Sequence, residues 1–210
     1  MFELIHKGGP VMWIILAASV AAVAVFLERL FHLHRAQIRA PDFLEGIFNI
    51  VRAGKLTEAV SLCEETPGPV ARLVRAAVLH LDDEPDRLDR AVDHAGLAEI
   101  PRLQRRVIAL STLAHIAPLL GLLGTVTALL EIAAEMHAGA PLVHMGDLAG
   151  GLWHALLSTA AGLAVAIPAA VGYHVLLSRV DALLQDMETA ASELDAFRVR
   201  LKRPIGGDHR

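Results

Sequence analysis

The sequence predicts an all-α integral membrane protein with three transmembrane helices, the second and third extended into the cytoplasm, and short cytoplasmic helices between the first and second. Three observations predict this class. Of the 210 residues, 54% are hydrophobic and only 20% are charged. The apolar residues gather in three runs, Pro10–Leu27, Val107–Leu130 and Leu152–Leu177, each close to the roughly 20 residues that cross about 30 Å of hydrocarbon. Lysine and arginine are absent from Glu131–Gly151, the stretch between the second and third runs, but abundant on the other flanks.

The first span is an anchor whose orientation follows from its flanks. Cytoplasmic flanks keep positive charge and translocated loops do not. Arg29, Arg35 and Arg39 follow the first run, Arg102, Arg105 and Arg106 precede the second, and Arg179 follows the third. The N-terminus and the short loop are therefore expected outside, with residues 28–106 and 178–210 inside. Trp13 and Trp153 then both fall at the outer interface, where amphipathic indoles settle. Lys7 ahead of an apolar run containing Ala-Val-Ala at 22–24 allows a cleaved signal peptide, but Glu3 offsets that lysine and the positive cluster lies after the run, which favours an N-out anchor.

The inner segment reads as helical. Asp42 is placed to cap FLEGIFNIVRA, which ends near Gly54. LTEAVSLCEE follows, then the Pro67-Gly68-Pro69 break, then VARLVRAAVLHL. From Asp86 a helical pattern leads to the second span, with Pro101 as a kink or a boundary. Val180, Leu183, Leu184, Met187, Ala191 and Leu194 recur at helical spacing after the third span, so that helix also continues inward, and Lys202–Arg210 is expected to fray. The division is residues 1–40 for the first span and its inner flank, 41–100 for the cytoplasmic helices, 101–178 for the second and third spans, and 179–210 for the C-terminal helix and tail.

Several functions are excluded or disfavoured. The net charge of −4 gives no reason to expect nucleic-acid binding. Cys63 is the single cysteine, so no intrachain disulfide is possible. No nucleophile–base constellation, phosphate loop or metal motif stands out among the eleven scattered histidines, so the chain is not expected to be an enzyme, and neither cofactor nor metal is expected.

The membrane faces carry the functional signal. On the second span Ser111, Pro118, Gly121, Thr125 and Ala128 keep to one stripe, with Gly124 beside it. On the third, Ala155, Thr159, Gly162, Ala166 and Ala170 form a comparable stripe, with Pro168 between its last two members. Small faces let helix backbones approach closely in lipid. Thr125 and Thr159 lie about 8 to 11 Å below the outer boundary of their antiparallel spans. A buried threonine can satisfy its hydroxyl on the preceding turn, or two hydroxyls at one depth can line a narrow polar pathway. Hydroxyls do not store a proton near neutral pH, and no aspartate or glutamate interrupts the three runs. The titrating group is then a histidine (His115, His154 or His174) or a carboxylate from a partner. His154 precedes Thr159 by five residues, about 140° around the helix, and so faces elsewhere.

APLLGLLGTVTALL at 117–130 and ALLSTAAGLAVAIPAAVGYH at 155–174 resemble the paired signature segments of the MotA/TolQ/ExbB proton-channel family, specifically its ExbB/TolQ branch. The likeness extends through the order of three spans and the cytoplasmic RAGKLTEAVSLCEETPGPVARLVRAAV at 52–78. It implies an inner-membrane proton-channel subunit that turns proton motive force into mechanical work at the outer membrane, for TonB-dependent uptake or, alternatively, Tol-Pal constriction. It also implies a homopentamer around the single spans of ExbD/TolR-like subunits, whose aspartate carries the proton, with a TonB- or TolA-like protein downstream. The resemblance maps pore-lining threonines onto Thr125 and Thr159 and helix-breaking prolines onto Pro118 and Pro168. One position departs: where ExbB and TolQ commonly have a glutamate five residues before the third-span threonine, this chain has His154. A structural scaffold without ion conduction is the expectation from another class.

Overall fold

The computed structural model describes residues 9–36, 38–139 and 145–202. Six helices follow in order among them: α1 Gly9–Ala36, α2 Ala40–Arg52, α3 Leu56–Glu65, α4 Pro69–Leu79, α5 Pro85–Gly139 and α6 Met145–Lys202. Three of them, α1, α5 and α6, are long and apolar enough to cross a membrane. The all-helical architecture with short helices between the first and second spans is therefore the one the sequence predicts. The expected fraying of Lys202–Arg210 falls almost wholly outside the described residues.

Chain contacts divide the protein into two compact units. One takes its residues from Met1–Arg29 and Arg106–Leu176, the other from Leu30–Arg105 and Leu177–Arg210.

In the second of these, amphipathic periodicity explains the packing. Leu44, Ile47 and Val51 on α2, Ala59 and Cys63 on α3, and Val70, Leu73, Val74, Ala77 and Val78 on α4 are buried in one cluster. Leu88 of α5 and Met187, Ala190, Leu194 and Phe197 of α6 complete it. The Phe48 and Phe197 rings stack with centroids 4.1 Å apart, and the Arg52 guanidinium lies 5.4 Å from the Phe197 centroid. Gly54, in the left-handed region at φ 74°, lets the chain leave α2. Gly68 has φ 125°, and a Cβ there would lie 2.7 Å from the Ala36 carbonyl oxygen, so both the turn and the close approach require glycine. The Glu99 carboxylate, buried on α5, takes Arg72 of α4 at 2.8 Å and Arg102, one turn along its own helix, at 2.8 Å.

One sequence expectation is corrected here, and one pair of alternatives is narrowed. Asp42 does not cap α2. The helix begins two residues earlier, at Ala40, with Pro41 in its first turn and Arg39 in the cap position, and no side chain caps it. Proline's fixed φ suits the first turn, where its missing N–H costs nothing, and Asp42 instead reaches Arg39 at 3.7 Å. Pro101 is not a boundary either, because α5 runs through it to Gly139.

In the first unit, α5 and α6 run antiparallel. Gly172, Gly162, Ser158 and Gly151 meet Leu110, Gly121, Gly124 and Ile132 respectively, one number falling as the other rises. The first helix joins them with Val11 beside Gly124 and Phe26 beside Gly172. Glu28 and Arg106 form an ion pair at its Arg106 end. Between α1 and α6, an apolar groove of about 410 Å³ is lined by Ala22, Val23, Phe26, Pro168 and Gly172 among others.

Candidate ion pathway

The contact between α5 and α6 is built on missing side chains. A Cβ on Gly162 would sit 2.6 Å from the Ala117 carbonyl oxygen and 2.9 Å from the Gly121 Cα. One on Gly121 would meet the Ser158 carbonyl oxygen at 3.0 Å and the Thr159 Cα at 3.2 Å. The backbones touch because neither helix places a side chain there, which is how helices gain contact in lipid without a hydrophobic driving force.

Along the third apolar run Ala155, Ser158, Gly162, Ala166 and Ala169 form a buried stripe, and along the second Ala117, Gly121, Gly124 and Ala128 do. Thr125, Thr159 and Pro118 lie at the edges of these stripes, partly buried. The periodicity alone admits either neighbouring residue, since positions 158 and 159 both fit helical spacing with Ala155 and Gly162. Ser158 is the hydroxyl that faces the neighbour. It is 1% exposed, and its Oγ donates towards the Gly121 carbonyl at 3.2 Å and the Ala155 carbonyl at 2.9 Å. Sequence reasoning passed over it, because the same spacing admits Thr159 in its place.

Thr125 donates to the Leu122 carbonyl at 2.6 Å, and Thr127 to the Gly124 carbonyl at 2.9 Å. Both hydroxyls thus have a satisfied donor and a lone pair left to accept. The pairing of Gly124 with Ser158 and of Gly121 with Thr159 and Gly162 sets the register. It puts Thr125 opposite the residues just before Ser158, so Thr125 and Thr159 differ by about 3 Å along the axis, less than one turn.

Of the remaining predicted residues, His115, His154 and Pro168 are not gathered at this point, whereas Gly124 is. His115 lies one and a half turns from Gly121 on α5, with Nδ1 donating to the Ser111 carbonyl at 2.7 Å, and is exposed. His154 is partly buried, on the turn of α6 before Ala155 and Ser158. Pro168, also exposed, belongs to the groove against α1. Gly124 packs against the Ser158 side chain, where a Cβ would come within 2.6 Å of Oγ and 3.4 Å of Val11. The arrangement holds hydroxyls and backbone carbonyls in a tight apolar hairpin with no internal carboxylate, so it can orient water or a partner's acid but cannot itself store a proton as an acid.

The model of the MotA/TolQ/ExbB proton channel family matches residues 65–189. This chain belongs to that family. The match takes in α4, α5, α6 as far as Thr189, and both threonines. An ExbB-like biopolymer transport protein of Synechocystis is 30% identical over 191 residues, covering 89% of this chain and 90% of its own. A TolQ protein of the Tol-Pal system from Haemophilus influenzae is 36% identical over 118 residues, 56% of this chain and 50% of its own. A biopolymer transport protein of the ExbB type from Vibrio cholerae is 26% identical over 189 residues, 89% of this chain and 83% of its own. The family is one of membrane proton channels, not of enzymes, and this member is a multi-pass membrane protein whose relatives divide between the ExbB and TolQ names.

Proposed function

We propose that this chain is the proton-channel subunit of an inner-membrane motor that converts proton motive force into mechanical work for an outer-membrane process. The observation that carries the reading is the pair Thr125 and Thr159, within one helical turn in depth on two carboxylate-free spans of a proton-channel family member. Residues 101–178 form the pore hairpin, residues 1–40 the anchor with its N-terminus in the periplasm, and residues 41–100 and 179–210 face the cytoplasm. Several copies, five in this reading, surround the membrane span of an ExbD/TolR-like partner that supplies the missing aspartate. Protons enter from outside, protonate that carboxylate beside the threonine ring, and leave inward once the partner has moved. Each charge crossing 100 mV releases about 2.3 kcal/mol, so several protons together drive a mechanical step.

The output is TonB-dependent uptake, supported by ExbB-type relatives that align along almost the whole chain. Tol-Pal constriction is the second reading, favoured by the higher identity to the shorter-matching TolQ protein. His154 and His115 are secondary candidates. His154 stands where the branch commonly has a glutamate, and it adds an imidazole to the outer half of α6.

The deciding experiment reconstitutes this chain with the single-span partner in proteoliposomes and measures proton flux and assembly together. Thr125→Ala and Thr159→Ala are each expected to lower flux by roughly tenfold or more, the worth of one hydrogen bond to a charged group, while the complex stays assembled. Undiminished flux in both variants would overturn the pathway and leave a scaffold. His154→Ala is expected to lower flux without abolishing it.

A further inference from the structure

We infer that Ser158 is a positioning residue for the proton pathway, holding α5 and α6 in the rotational register that sets Thr159 beside Gly121; the inference rests on the pathway proposed above. The hydroxyl has one proton and two acceptors within reach. One is the Ala155 carbonyl of its own helix at 2.9 Å, the other the Gly121 carbonyl of the neighbour at 3.2 Å. In a membrane interior, where no water replaces a lost bond, this donor is never stranded: when it leaves the neighbour, its own helix takes it. The contact can therefore open and close during a working cycle without the penalty of an unsatisfied buried hydroxyl.

The surroundings show a place made for this side chain. Ser158 is 1% exposed, and the face opposite it is Gly124, where a Cβ would lie 2.7 Å from the Ser158 Cβ and 2.6 Å from its Oγ. Val11 of α1 closes the same spot. Ser158 precedes Thr159 directly, so a slip of one residue would rotate the helix face by about 100° and carry Thr159 off the contact with Gly121. Alanine would fill the space nearly as well, but it would leave the register to van der Waals contact alone. What the hydroxyl adds is direction.

The test uses the reconstituted complex with its single-span partner in a Cys63→Ala background, reading flux, assembly and helix register in the same samples. Register is read by disulfide formation between cysteines placed at Ile132 and Gly151, which meet across the hairpin. Ser158→Ala is expected to leave assembly intact, to lower flux by about fivefold, as one interhelical hydrogen bond in a membrane would, and to lower the yield of the 132–151 cross-link. Unchanged cross-linking in Ser158→Ala would overturn the inference whatever the flux. If Thr125→Ala and Thr159→Ala left flux intact while Ser158→Ala still loosened the cross-link, the pathway would fail and the register role would stand.

Discussion

Gly162 has little room to change. A methyl there would press on the Ala117 carbonyl oxygen at 2.6 Å and the Gly121 Cα at 2.9 Å, backbone atoms that cannot rotate away. Gly162→Ala should therefore push α5 and α6 apart, costing about 1–3 kcal/mol. The check is a lower melting temperature in detergent, with Gly46→Ala, which meets nothing within 4 Å, as the control. Cys63 gives a second residue-scale expectation. Burial pushes its thiol up to about 11, with Arg75 pulling down and Glu64 pushing up more weakly. The thiolate is the reactive form, so alkylation of the native protein at pH 8 should be slow and should accelerate as pH climbs towards 11. Fast labelling at pH 8 without denaturant would contradict the buried thiol.

At this scale the glycines and threonines were legible in the sequence, because small-residue spacing on a charge-free span has few other uses. Ser158 was not, since helical spacing cannot tell position 158 from 159 and only the burial of one over the other decides it. The alignment of Thr125 with Thr159 could be expected from run lengths alone, because two antiparallel helices crossing one bilayer start from common planes.

Among elements, the long helix α6 depends on what it meets beyond the apolar run. Its Met187, Ala190, Leu194 and Phe197 are buried at helical spacing against the short helices, which supplies the tertiary contact that helices of this kind need. The stacked Phe48–Phe197 pair ties α2 to the last turns of α6. Phe197→Ala should remove that ring and leave a cavity, costing about 3–5 kcal/mol. Hydrogen exchange should then quicken in Ala40–Arg52 and near Phe197, while amides around Gly121 and Gly162 keep their protection. Uniform loss of protection would mean that the two regions unfold as one. The existence of these helices was readable from period and from the Gly54 and Pro67-Gly68-Pro69 breaks. Their starts were less so: Asp42 has the right side chain for a cap, but Pro41 before it already fits the first turn and moves the boundary back. Pro101 illustrates the same competition, since a proline inside a pattern this long is tolerated where flanking turns carry the helix onward.

For the molecule as a whole, the apolar surface and the charges have to be satisfied together. Only 17% of the most apolar window of α1 is buried by the chain itself, and 33% of those of α5 and α6. Lipid or neighbouring copies must cover the rest, and three helices with threonines at the edge of their contact cannot enclose a pathway alone. That is why a partner and further copies enter the functional reading. The charges are the ground for the proposed orientation. The stretch Glu131–Gly151 lacks lysine and arginine, while Arg102, Arg105, Arg106 and Arg179 flank the other ends of the same two spans. Moving those arginines across hydrocarbon would cost several kcal/mol each, so the proposed orientation places Met136, exposed on the far part of α5, outside and His94, exposed on its near part, inside. In a Cys63→Ala background, Met136→Cys should react with a membrane-impermeant maleimide added to spheroplasts, and His94→Cys only after lysis. The reverse pattern would invert the proposed topology, and with it the direction of the proposed proton path.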